Sequence, residues 1–165
     1  MNEVLYNAYV KILKEELLPA MGCTEPIAVA YAAALVRKTL GTIPQSAEVH
    51  VSANIIKNVK AVIVPTTGDL KGIETSAILG AVGGNAEKKL EVLVDVTDED
   101  LKITRELLKK KICHVELLEG VSNLQIIVEL KAGEDTALAE IAFSHTNIER
   151  LEENGQVIFS KEMEA

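Results

Sequence analysis

The stretch Met21-Gly-Cys-Thr-Glu-Pro26 sets a thiol, a hydroxyl and a carboxylate side by side, ahead of an apolar run. Cys23 falls at or just before the N-terminus of the helix that this run predicts. Unpaired N–H groups and the positive end of the helix dipole favour an anion there. A thiolate in that place serves as a nucleophile or as a metal ligand. The plain alternative is a small buried hydrophobe, and position alone does not choose between them. Glu25, beside it, is an acid/base candidate whose structural alternative is helix capping.

Two further groups of polar residues invite chemistry. Asn54, Lys57 and Asn58 leave the end of one expected strand, and Thr66, Thr67 and Gly68, with Lys71 close behind, follow the next. If those strands pair, both loops reach one edge, where backbone N–H groups and a lysine hold a substrate carboxylate. Ile73 after Gly72 rules out a phosphate-binding P-loop, and the structural alternative for Gly68 is a turn of positive φ. The segment Ser144-His-Thr-Asn147 ends another expected strand. There His145 is a proton-shuttle candidate, flanked by Thr146 and Asn147 as substrate contacts. His50 and His114 fall on polar strand faces and read as solvated. Cys113, on the Val115 and Leu117 side of a strand, reads as core packing.

The elements that must position these residues follow from periodicity. Residues 2–18 carry apolar side chains at helical spacing, and Pro19 ends that helix. The next helix runs to about Thr39, capped by Thr24 or Glu25, with Pro26 in its first turn and Gly41 beyond its end. The segments 47–54 and 59–64 read as strands, 73–82 as a short helix, and 85–93 as another. Residues 97–111 form a helix with Thr97 as cap and acids in its first turn. Residues 113–118, 124–130, 136–145 and a hairpin over 148–159 complete the strands, with Asn154-Gly155 as its turn. The expected class is α+β: two N-terminal helices followed by an α/β sandwich with a mixed or antiparallel sheet. Its units are a helical segment over 1–43, an incomplete part of a helical catalytic domain, and an α/β domain over 46–160.

Composition limits the classes of function. The chain has 165 residues, 48% apolar and 25% charged, which suits a compact globular unit. A net charge of −8 and 3% aromatic residues exclude the basic, stacking surface that nucleic-acid binding needs. Lys109, Lys110 and Lys111 close a helix that opens with acids, so they complement its dipole rather than form a patch. The apolar run from Pro26 to Val36 is too short to cross a bilayer. No basic leader precedes an apolar run, and two cysteines make no disulfide framework, so a cytoplasmic setting without membrane attachment is expected. The second helix shows no polar stripe. A helix apolar all round must be covered on all sides, and the expected elements leave too little to cover it. A partner subunit, a homo-oligomer or a further stretch of chain is therefore expected.

Three blocks carry a resemblance: MGCTEPIAVAYAAA, VSANIIKNVKAVIVPTTGDLKGIETSAILGAVGGNAEKKLEVL and FSHTNIERLEENGQVIF. They resemble the N-terminal part of the L-cysteine desulfidase family, itself related to iron–sulfur L-serine dehydratases. The resemblance implies a pyruvate-forming lyase that releases ammonia from a small amino-acid substrate. It implies an oxygen-labile [4Fe–4S] cluster whose open iron polarises the substrate, with Cys23 as a cluster ligand. It also implies a longer protein, in which a helical C-terminal region carries the remaining cluster cysteines. Cys113 matches none of those ligands. The chain is then expected to lack the cluster and to be inactive alone. The alternative reading is an amino-acid-binding or regulatory α/β module with a helical dimerisation arm.

Overall fold

The computed structural model describes residues 24–60, 62–120 and 124–161. The expected first helix and Cys23 lie outside the described residues.

Among the described residues, six strands form one mixed sheet beneath a layer of helices. The elements are α1 (Thr24–Leu40), β1 (Ser46–Ser52), α2 (Ala53–Val59), α3 (Ile73–Gly83), a 3₁₀ segment (Ala86–Glu91), α4 (Asp98–Lys109), β2 (Cys113–Leu118), β3 (Gln125–Ala132), β4 (Asp135–Ala142), β5 (Ile148–Glu153) and β6 (Gln156–Ser160). The strand order is β2-β1-β3-β4-β5-β6. Only β1 and β2 are parallel; every other neighbouring pair is antiparallel. The expected α+β class with a mixed sheet holds.

Alternation along the strands decides which face is covered. Ala47, Val49 and Val51 of β1 are buried, as are Ile126, Val128 and Leu130 of β3 and Ala137, Ala139 and Ile141 of β4. These residues share a register and form the floor of the core. Glu48, His50, Glu129, Glu140 and Glu152 alternate with the buried rows on the strands and are partly or fully exposed. Asn154 (φ 51°) and Gly155 (φ 81°) close the β5–β6 hairpin with two positive φ values, the pair that a type I′ turn requires.

α1 is the centre of the helical layer. Pro26 to Ala34 and Val36 are all buried. The helix packs on α3, on β3 and β4 and on the 3₁₀ segment. The inference that this helix lacked cover is therefore corrected: its own chain wraps it. The alanines let neighbouring backbones come close, and a Cβ at Gly80 of α3 would overlap the backbone of Ala30. The core runs unbroken from α1 into the sheet, so α1, assigned above to a separate helical segment over 1–43, shares its core with the strands. Thr24 and Glu25 lie inside the helix rather than capping it.

α2 corrects a second expectation. The β-branched run at 59–64 reads as a strand, yet 53–59 is helical and only an isolated bridge, Ile63 to Lys71, follows. Ile55 and Val59, four apart, bury one helical face against the core. α4 carries the expected cap in full. The Thr97 hydroxyl accepts from the Asp100 N–H at 3.1 Å, and the Asp100 carboxylate accepts from the Thr97 N–H at 3.0 Å. No helix among the described residues is long and apolar enough to cross a membrane.

Candidate functional site

β1 and β4 both pair antiparallel with β3, so they run in the same direction and end at the same edge of the molecule. α2 begins directly after β1, and the loop 143–147 directly after β4. With one strand between them, these two points stand about 10 Å apart.

At this end His145 Nε2 lies 3.9 Å from Glu25 Oε1. Their side chains are 35% and 24% exposed, neither sealed nor free in solvent. The spacing exceeds a direct hydrogen bond. It is a close approach of an imidazole nitrogen to a carboxylate oxygen. The two acid/base candidates thus meet, although they come from opposite ends of the sequence.

The loop holding His145 is locked in place. Asn147 donates through Nδ2 to the Ala142 carbonyl at 2.8 Å and to the Glu149 carboxylate at 2.5 Å. Its N–H donates to the Ser144 carbonyl at 3.2 Å, and the Phe143 N–H donates to the Leu124 carbonyl at 3.2 Å. Asn147 was expected to contact substrate, and its amide instead braces the loop; Thr146 beside it is half-buried. Phe143 sits at φ 73° and is 75% exposed. A bulky residue in that region is strained, and such strain persists where its surroundings over-determine it, commonly at functional sites. The β4–β5 register also shifts at Glu140/Ile141, a bulge that re-aims the residues beyond it. Neither the strain nor the bulge was foreseen from the sequence.

Asn54, Lys57 and Asn58 are all exposed on α2. Their i, i+3, i+4 spacing puts them on one face, opposite Ile55 and Val59. This single-helix patch replaces the expected pair of strand-end loops. α1, which carries Glu25, packs against α2.

The loop 64–71 does other work. The buried Thr67 hydroxyl donates to the Val64 carbonyl at 2.7 Å and accepts from the Leu70 N–H at 3.1 Å. The Thr67 N–H is also bonded, to the Val64 carbonyl at 3.3 Å. The expected cradle of free N–H groups around Thr67 and Gly68 is therefore corrected at Thr67, whose N–H closes the loop on itself. Gly68 (φ 79°) supplies the turn, Thr66 (φ 71°) is strained and exposed, and Lys71 is exposed at the bridge to Ile63. Asp69 ties the loop to Arg105 of α4 at 2.8 Å. The contacts of this loop lead toward α4, not toward His145.

The described residues contain no group of three or more His, Cys, Asp or Glu side chains that converge as a metal site. Cys113 starts β2, partly buried. Burial first, and the neighbouring Glu74 carboxylate second, push its thiol up to about 12. It stays a neutral thiol, in keeping with a packing role.

A protein of Lachnoclostridium phytofermentans is 50% identical over 160 residues, which span 97% of this chain and 38% of that protein. One of Treponema denticola is 50% identical over 156 residues (94% and 36%), and one of Finegoldia magna 49% identical over 151 residues (91% and 36%). Each bears the name UPF0597 protein. The chain is similar to UPF0597 proteins. It spans less than two-fifths of the length of these relatives. No family model matches the chain, and no solved structure does. These relatives overturn the expectation that the chain is the N-terminal part of an iron–sulfur-dependent, pyruvate-forming lyase. At 49–50% identity over nearly all of it they are UPF0597 proteins, and that name carries no desulfidase, dehydratase or iron–sulfur assignment.

Proposed function

We propose that the chain carries a general acid–base site, Glu25–His145, which moves a proton on a small carboxylate substrate. The observation behind this reading is the 3.9 Å approach of Nε2 to Oε1 on a braced, strained loop. A carboxylate beside an imidazole holds the ring in one orientation. Partial exposure of both groups leaves a way in for substrate. The bracing by Asn147 fixes the base before substrate arrives, as efficient proton transfer requires. At the same end of the sheet, Lys57 with the amides of Asn54 and Asn58 offers donors to a carboxylate. An ammonium with flanking amides binds a small anion through charge-assisted hydrogen bonds.

The test is solvent-deuterium incorporation, followed by proton NMR, into a panel of small hydroxy-, keto- and amino-carboxylates. At least one member exchanges above the buffer blank with the wild-type chain. His145→Gln then lowers that rate by about 100-fold or more, the usual weight of a positioned proton donor or acceptor. Lys57→Met raises KM with little change in kcat, the mark of lost uniform binding. Absence of exchange across the panel, or exchange unmoved by His145→Gln, refutes the reading.

A further inference from the structure

A concavity lies at the other end of the sheet. β2 runs parallel to β1, so its start at Cys113 is remote from the strand ends that carry α2 and the His145 loop. Between the first turn of α3, the last turn of α4 and the start of β2 lies a cleft of about 290 Å³, lined by Glu74, Leu108, Lys111, Ile112, Cys113 and His114. That volume is at the lower end of small-molecule sites.

The lining has a definite chemistry. Leu108, Ile112 and the neutral Cys113 thiol give an apolar floor. Glu74 supplies a carboxylate from the first turn of α3. Lys111 supplies an ammonium from a residue held at φ 54°, just past the end of α4. That position is fixed by the Lys111 N–H, which donates to the Leu108 carbonyl at 3.1 Å, and by the Ile112 carbonyl, which accepts from the Ala47 N–H at 2.9 Å. Salt bridges join several other charged residues, but among the described residues Glu74 and Lys111 are paired neither with each other nor with a third group. An acid and a base that share one cleft without pairing present two opposite charges beside its apolar groups.

We propose that this cleft is a binding site for a small aliphatic zwitterion, with its ammonium on Glu74, its carboxylate on Lys111 and its hydrocarbon on Leu108, Ile112 and Cys113. Such a ligand satisfies both charges at once and covers the apolar floor, whereas a simple anion or cation leaves one charge unanswered. The site is independent of the Glu25–His145 pair and stands if that reading fails.

Amide chemical shifts of the ¹⁵N-labelled chain test this directly. The probes are 4-aminobutanoate, 5-aminopentanoate and 6-aminohexanoate, with hexanoate and hexylamine as singly charged controls. At least one zwitterion shifts the amides of Glu74 and of residues 111–114 in a saturable way, at least ten-fold more tightly than either control. Glu74→Gln removes the advantage over hexanoate, and Lys111→Met removes the advantage over hexylamine. Both substitutions are at exposed positions, so the fold is retained, and the unchanged remainder of the spectrum verifies it. Three zwitterions without saturable shifts at these amides, or controls that bind equally well, overturn the proposal.

Discussion

Cys113 shows how one side chain couples protonation to folding. Its thiol is raised from 9.0 to about 12 in the folded chain. A raised pKa means that the native state holds its proton longer than the unfolded state does. The associated stability is complete below the unfolded value, near pH 9, and is lost as pH climbs toward 12. Within that window the loss is about 1.4 kcal/mol per pH unit. Urea unfolding at pH 9 and pH 10 therefore shows wild type losing about 1 kcal/mol more than Cys113→Val does, because the slope is only half developed at the unfolded value. Equal losses in the two proteins would remove the burial argument. At this scale the sequence told a mixed story. Glu25 and His145 were each legible as acid/base candidates, because a carboxylate at a helix start and an imidazole among polar neighbours are local facts. That they touch is a long-range fact, written nowhere in either segment. Thr67 went the other way. A hydroxyl beside a glycine looks available, and only the fold reveals that it is turned inward to Val64 and Leu70.

Helices and strands obey local rules until packing outbids them. α4 was readable from its cap and first-turn acids, and the structure has both. The hairpin at Asn154-Gly155 was readable for the same reason: one turn type demands those residues. α2 was not. Its surroundings are rich in Ile and Val, which favour strands, yet two buried residues at helical spacing outweigh that preference. The α1–α3 contact is the most exacting junction in the helical layer. Gly80 admits the Ala30 backbone where no Cβ fits. Gly80→Ala pushes the two helices apart and costs about 3 kcal/mol, the upper part of the range for overpacked cores. The penalty appears in the denaturation midpoint, with the slope unchanged. The enlarging substitution Ala33→Val, also within α1, distinguishes tight packing in general from the Gly80 contact in particular, and it is expected to cost less.

Among the described residues the sheet has one covered face and one that is polar and partly exposed, so stability is concentrated. Native-state hydrogen exchange is expected to be slowest in α1, β1, β3 and β4, whose apolar residues form the floor and roof of the core. Exchange is expected to be fastest in β6, an edge strand with Val157 and Ile158 exposed. Protection in β6 equal to that of β3 would show that cover on the sheet differs from this account. The α+β class was legible because alternating and helical periods each cover long segments. The wrapping of α1 was not, since no single segment says which later strand will lie against it. That wrapping has a bearing on biosynthesis. α1 leaves the ribosome well before β3 and β4, on which it rests and which end only at Ala132 and Ala142. α3 can meet it once Gly83 has been made, but until roughly a hundred further residues have followed, the helix lacks its floor of strands, and that apolar side is open to wrong neighbours.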